Sequence, residues 1–425
     1  MPVKIISLIL LSYTFCLAQQ KVVHRITVDG VINPAAREFI IESIEKAEED
    51  GAELLIIEMD TPGGLMSSMH DIVKRILSAE VPVAVYVSPA GSRAGSAGVF
   101  ITMAAHIAAM APSTNIGSAH PVDISGGSDS SAVMTDKIVN DAVASIKSVT
   151  EKRGRNVEWV EKAVRESVNI TETEALQKKV IDYVVPNVDS LLKILDGREV
   201  EVLSGKKILH TSGVRIEKFT MSWRQNILDI LSDPNIAYIL MLIGIYGILY
   251  ELYNPGAVLP GVMGGICLIL ALYSFQTLPV NYAGVLLILF AVILFLLEIK
   301  VASYGILSIG GILSLVIGSL MLIDAEASFL RISWKVIAGA TIASTLFFVF
   351  VIGLAYKAFR RQPTTGKEGL VGEEGVTLSE LNPAGSVEVH GEIWNAYAAG
   401  RIEKGQRVVV EQVDAQHLKI KVKPM

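Results

Sequence analysis

Leu54-Leu55-Ile56-Ile57-Glu58-Met59-Asp60-Thr61-Pro62-Gly63-Gly64 begins as an apolar run and ends on a proline and two glycines. Val83-Ala84-Val85-Tyr86-Val87 followed by a turn into Ala94-Gly95-Ser96-Ala97-Gly98 repeats that order of events. Short apolar runs bounded by turn residues read as buried strands, and Met66, Met69, Val73 and Ile76 between them mark one helix face. Strand, glycine turn and helix in repetition is the signature of an α/β domain. Upstream, Ala36, Phe39, Ile40, Ser43, Ile44 and Ala47 share a helical face behind Pro34, a residue suited to a first helical position. Downstream, a small-residue helix runs from Ser96 to about Ala105, and Ile107 to Ala111 extends again. A loop rich in Ser, Gly and Asp covers Ile124 to Thr135. A long helix from Asp136 to Arg153 stops at Gly154, and further helices cover Val157 to Ser167 and the residues from Thr173. The α/β domain is expected over residues 19–231, and the amphipathic stretch Trp223 to Leu231 at its end is expected at the membrane surface.

The 425 residues carry a net charge of −6, 51% hydrophobic and 19% charged residues, so the chain is neither disordered nor a polyanion binder. Two cysteines, Cys16 and Cys267, cannot build a disulfide framework or a cysteine-ligated metal site. The apolar excess is local. Lys4, the run Ile5 to Phe15 and the small residue Ala18 read as a signal peptide over residues 1–18. Residues 232–361 are expected to form about five membrane-spanning helices, each near the ~20-residue spanning length. Lys357, Arg360 and Arg361 follow the last of them, which places that end in the cytoplasm and the α/β domain outside. Glu251 and Glu298 fall near span ends, and Gly261 with Gly265 forms a small-xxx-small pair suited to helix packing. Residues 362–425 alternate with period two, as in Leu418, Ile420 and Val422 against Lys419, Lys421 and Lys423, and suggest a small OB-like barrel. Those lysines read as a solvated strand face, since no aromatic cluster accompanies them to stack bases, and no nucleic acid is expected.

Chemistry concentrates around Ser96. A serine between a glycine turn and an alanine-rich helix can stand exposed, with the next backbone N–H groups and the helix dipole aimed at a developing oxyanion. Ala94 occupies the place of the first glycine in a lipase-type nucleophile elbow, so that motif is incomplete. Gly63 and Gly64 would let a main-chain N–H approach a substrate carbonyl closely. Each feature alone is also ordinary turn chemistry. Together they can share one site.

With Ala111-Pro112-Ser113-Thr114-Asn115-Ile116-Gly117-Ser118-Ala119-His120-Pro121 added, the segments Met59 to Gly64 and Ala94 to Gly98 resemble the NfeD-type membrane-bound serine proteases, relatives of the Clp protease and of signal peptide peptidase A. The likeness extends over essentially the whole chain. It implies a Clp/crotonase-like α/β protease domain, an α-helical multi-span region and an all-β OB-like C-terminal barrel. It also implies a Ser–Lys dyad, for which the matching lysine is Lys137. A lysine in that role has to be neutral to take the serine proton, and apolar neighbours such as Val133, Ile138 and Val139 favour that form. His120, with Asp123 nearby, is the alternative base in a Ser–His–Asp arrangement. The N–H groups of Gly64 or Gly63 and of Ala97 would form the oxyanion hole. His70 and His106 read as helix or core residues.

The resemblance implies hydrophobic polypeptide substrates, stomatin-like (SPFH) membrane proteins as partners, contact with membrane lipid, self-association into a homo-oligomer, and no metal or diffusible cofactor. A non-catalytic scaffold that organises stomatin-like proteins is the alternative function. Crotonase-like acyl-CoA chemistry is a third, which the expected location outside the cytoplasm and the lack of a nucleotide-phosphate clamp disfavour.

Overall fold

The computed structural model describes residues 21–121, 132–253, 256, 258–301, 303–325, 330–359, 367–414 and 418–425. The expected signal peptide, Asp123 and most of the Ser/Gly/Asp-rich loop lie outside them. The N-terminal domain runs β1 (Val22–Asp29), α1 (Pro34–Glu49), β2 (Leu54–Asp60), α2 (Met66–Leu77), β3 (Val83–Val87), β4 (Arg93–Gly95), α3 (Ala97–Ala104), β5 (Ile107–Met110), β6 (Asn115–Gly117), α4 (Ala132–Lys152), α5 (Val157–Arg165), β7 (Asn169–Thr171), α6 (Glu172–Gln177), β8 (Tyr183–Val184), α7 (Val188–Leu195), β9 (Glu199–Val202), β10 (Gly205–Ile208), β11 (Arg215–Lys218) and α8 (Trp223–Leu231).

Six strands form a parallel sheet in the order β11-β1-β2-β3-β5-β8. Strand side chains alternate between faces, so Leu55, Ile57 and Met59 of β2 join a core beneath α1, α2 and α3, while Leu54 and Ile56 pack with α7 on the other face. Burial on both faces is why β2 and β3 read as unbroken apolar runs rather than as alternating ones. Helix α1 starts where expected because Asn33 accepts from the N–H of Ala36 at 2.9 Å and Pro34 fills the first helical position. A second, three-stranded sheet, β4-β6-β7, stands beyond the ends of the main strands. This is the layered α/β architecture of a Clp/crotonase-like domain.

Two local readings change. The turn expected over Ser88 to Gly95 closes with a short strand, β4, recruited by pairing with β6. The long helix already includes Ala132 to Thr135, ahead of the expected start at Asp136, and Ala132 and Met134 are good helix formers. Lys137 therefore lies inside the helix rather than at its start.

Five apolar helices follow: α9 (Pro234–Tyr253), α10 (Val258–Phe275), α11 (Tyr282–Lys300), α12 (Ile306–Met321) and α13 (Trp334–Phe359). The first three are long and apolar enough to cross a membrane. Helix α12 has 16 residues, short of the length expected for every span. The glycine pair is also corrected. A Cβ on Gly247 would stand 2.6 Å from the Pro260 carbonyl oxygen and 2.9 Å from the Gly264 Cα, whereas Gly265 faces open space. A Cβ on Gly264 would stand 2.8 Å from Ile248 N and 3.0 Å from Gly244 O, so Gly264 rather than Gly265 lies against α9.

The chain packs as two units, Met1–Phe290 with Leu313–Ala340, and Ala291–Ile312 with Thr341–Met425. In the second, Glu298 accepts from Ser303 Oγ at 2.7 Å and from the N–H groups of Gly305 and Ser308 at 3.0 Å each, so it closes the α11–α12 turn. The same unit holds a closed barrel of β12 (Glu374–Thr377), β13 (Ala384–Val389), β14 (Glu392–Tyr397), β15 (Arg407–Asp414) and β16 (Lys419–Pro424), in the order β12-β13-β14-β16-β15. Ile420 and Val422 enter its core with Val387, Val389, Val408 and Val410. Leu418, expected to share that alternation, is exposed at a positive φ of 52°, in the turn before β16.

Candidate active site

Three sequence segments meet at Ser96 through main-chain bonds. Thr61 N–H donates to Arg93 O at 2.8 Å, Gly95 N–H donates to Thr61 O at 2.9 Å, and Ser96 N–H donates to Gly117 O at 3.1 Å. The end of β2, the Gly-Ser-Ala turn and the strand before His120 are thereby locked together. Ser96 heads α3 at φ 48° and ψ −109°, a conformation that side chains with a Cβ rarely adopt.

The glycines around it are there for space. A Cβ on Gly63 would come within 2.7 Å of Ser96 Cβ and 3.2 Å of its Oγ. One on Gly64 would stand 2.3 Å from Ile32 O, one on Gly98 2.7 Å from Thr61 Cγ2, and one on Gly117 2.2 Å from Val168 O. Sequence reading singled out Gly63 and Gly64 but gave no role to Gly117, whose signal was only its place between Ile116 and Ser118. Gly63 N–H donates to Thr61 Oγ1 at 3.1 Å and is occupied. Among the described residues the N–H groups of Gly64 and Ala97 have no acceptor, and Ser96 Oγ has no hydrogen-bond partner. Two free donors thus accompany one free hydroxyl.

The two candidate bases are placed differently. Helix α4 buries Val139, Ala142, Val143 and Ile146 in the core that also holds α3. Lys137 stands on the opposite side of α4 and is exposed, and no hydrogen bond joins it to Ser96 among the described residues. Of its expected apolar neighbours Val139 is buried, facing away from it. His120 is half-buried, and its Nδ1 lies 2.8 Å from Val164 O. A carbonyl can only accept, so Nδ1 carries a proton, and in the neutral ring the lone pair is on Nε2.

Reading the sequence missed the arginines that hold the far end of α3. Arg155 Nη1 donates to the carbonyls of Thr102, Met103 and Ala105 at 3.1, 3.0 and 3.0 Å, and Arg153 Nε donates to Ala104 O at 2.9 Å. Beside them His106 is a structural residue, as expected. Its Nδ1 accepts from Val83 N–H at 3.2 Å, and burial, reinforced by Arg153, Arg155 and Lys152, pushes its pKa down to about 3. The unfolded chain, with an ordinary histidine pKa near 6.5, takes up the proton first. Stability from this neutral histidine is complete above pH ~6.5 and is lost as pH falls toward about 3. The expected result is that His106→Asn, which keeps an acceptor for Val83, loses less stability than the parent between pH 7 and 4.5 in denaturant unfolding. An equal loss in both would remove His106 as the cause.

A cavity of about 430 Å³ lined by Arg25, Glu58, Tyr86, Ser88 and Asn187 lies on the sheet face opposite α3 and takes in none of these residues.

Three family models match the chain: the NfeD1b N-terminal domain over residues 22–197, the NfeD integral membrane domain over residues 235–353, and the NfeD-like C-terminal, partner-binding domain over residues 367–424. The chain is 33% identical over 409 residues to membrane-bound protease PH1510 of Pyrococcus horikoshii, covering 93% of this chain and 92% of that protein. It is 27% identical over 421 residues to membrane protein NfeD1b of Bacillus subtilis, covering 95% and 93%. A solved structure of the membrane-bound stomatin-specific protease 1510-N, a lysine-to-alanine mutant in complex with a substrate peptide, shares 31% identity and covers 50% of this chain and 98% of that one, with a TM-score of 0.47.

Proposed function

The chain belongs to the NfeD family of membrane proteins, and from that premise we propose that it is a membrane-anchored serine endopeptidase with Ser96 as nucleophile. The observation that carries this reading is the strained, unbonded Ser96 flanked by the free N–H groups of Gly64 and Ala97. In the reaction, Ser96 Oγ attacks the scissile carbonyl, and the two N–H groups take the oxyanion. Neutral Lys137 accepts the serine proton and returns it to the leaving amine. Lys137 is exposed on α4 and is not bonded to Ser96 among the described residues, so the dyad reading requires the two to come together when a peptide binds.

The relative's description as stomatin-specific supports an apolar segment of a stomatin-like (SPFH) protein as substrate. The reading includes an exported α/β domain, cleaved from its signal near Ala18 on the strength of the apolar run Ile5 to Phe15, a barrel in the cytoplasm on the strength of Lys357, Arg360 and Arg361 after the last span, and, from the family resemblance, a self-associating chain.

His120 is the competing base, because its Val164 contact orients the ring and leaves Nε2 free. Turnover of an apolar peptide decides between them. Lys137→Ala is expected to lower it by on the order of 10²–10⁴-fold, and His120→Ala by less than about tenfold. The reverse order transfers the base to His120. The scaffold reading draws on the partner-binding description of the C-terminal domain. It prevails if Ser96→Ala changes neither peptidase activity nor cellular phenotype.

A further inference from the structure

Helix α8 has two faces, and among the described residues only one is engaged by the rest of the chain. Toward the domain, Gln225 and Leu231 are buried. Gln225 Nε2 donates to Glu42 at 2.9 Å, Asn33 Nδ2 donates to Asp229 at 2.7 Å, and Arg224 pairs with Glu38. On the other face Trp223, Ile227 and Ile230 fall at i, i+4 and i+7, one stripe along the helix, and are 77%, 47% and 55% exposed.

The helices that follow fix where this stripe lies. Only Ser232 and Asp233 separate α8 from α9. Helices α9 and α10 run antiparallel, since a Cβ on Gly244 would meet Leu268, one on Gly247 would meet Gly264, and one on Gly261 would meet Glu251. The end of α10 near Phe275 is therefore level with the start of α9 at Pro234, and α8 touches both helices. Helix α9 has 20 residues, or ~30 Å at 1.5 Å per residue, which matches the hydrocarbon thickness of a bilayer with nothing to spare. Pro234 accordingly marks one boundary of the apolar layer. A two-residue link keeps the end of α8 within ~10 Å of that boundary.

The geometry points to α8 lying in the plane of the membrane interface, with Trp223, Ile227 and Ile230 inserted between the headgroups and acyl chains of the leaflet next to the α/β domain. A tryptophan with two isoleucines suits that layer, where an amphipathic ring meets both polar and apolar surroundings. The domain is then held to the lipid at two places, the span and the surface helix, and cannot swing away on a flexible tether. This placement rests on α9 crossing the bilayer and is independent of the peptidase reading.

Site-directed spin labelling tests it on the full chain, with Cys16→Ser and Cys267→Ser removing both cysteines, in nanodiscs of phosphatidylcholine. One nitroxide is placed at Ile227→Cys and a reference at Glu45→Cys, exposed on α1. The expected result is a several-fold higher ratio of oxygen to nickel-chelate accessibility at position 227 than at position 45. Equal ratios overturn the proposal. So does spin–spin broadening between 227 labels with protection from both reagents, which would mean that a second copy covers the stripe. Ile230→Cys repeats the measurement if the first label disturbs assembly.

Discussion

Replacing Ser96 by alanine is expected to lower peptide hydrolysis by on the order of 10⁴-fold or more without unfolding the chain, because the nucleophile is lost and no hydrogen bond goes with it. Glycine at the same position is expected to abolish activity equally, yet to give the more stable protein. The reason is the backbone at φ 48° and ψ −109°. Holding a residue with a Cβ there costs about 1–3 kcal/mol, and alanine retains that cost. Glycine removes it and adds about 0.5–1 kcal/mol of backbone entropy loss on folding. The net gain of Ser96→Gly over Ser96→Ala is therefore about 0–2.5 kcal/mol, measurable as a shift in the denaturant midpoint at constant slope. A glycine variant less stable than the alanine variant would show that the turn stores no strain. Wild-type turnover in either variant would remove Ser96 as the nucleophile.

Much of this arrangement was legible in the sequence because it depends on residue types with few alternative uses. Strands β2 and β3 are buried on both sides, so their apolar runs were continuous, and α1 announced itself through Pro34 and a regular apolar stripe. Gly63 and Gly64 could be read as places of close approach, and each does abut a neighbouring atom that a Cβ would strike. Other features depend on partners distant in sequence. Strand β4 exists because β6 pairs with it, and nothing within residues 93–95 announces that. Gly264 rather than Gly265 meets α9 because of how two helices are rotated against one another. Lys137 stands on the exposed side of α4, a fact set by where the Val139 stripe packs and not by the residues adjacent to the lysine. Arg153 and Arg155 flank the Gly154 helix stop and had no role assigned from the sequence, yet they close the carbonyl end of α3.

That last contact yields the largest expected effect on stability. Arg155→Ala is expected to destabilise the chain by about 3 kcal/mol, the lower end of the range for breaking a buried charge pair. The guanidinium is nearly fully buried and binds Asp182 at 2.7 Å, while Asp182 is one-third exposed, so water recovers part of the loss on the carboxylate side. Water does not readily reach the carbonyls of Thr102, Met103 and Ala105, which lose their shared donor at the negative end of the helix dipole. For this reason the usual outcome, in which an apolar pair replaces a buried ion pair at little cost, is not expected for Arg155→Met with Asp182→Leu. Removing both charges still leaves three carbonyls unmatched. Arg155→Lys is expected to fall between, since an ammonium keeps the charge but cannot direct planar donors to a carboxylate and to a helix end together. Denaturant unfolding of the three variants and the parent checks the ordering. If the double apolar variant is as stable as the parent, the carbonyl contacts contribute nothing and Arg155 serves only to neutralise Asp182. If it is as unstable as Arg155→Ala, the anchor is the helix end, and because α3 carries Ser96 at its other end, peptide turnover should fall in the same variants.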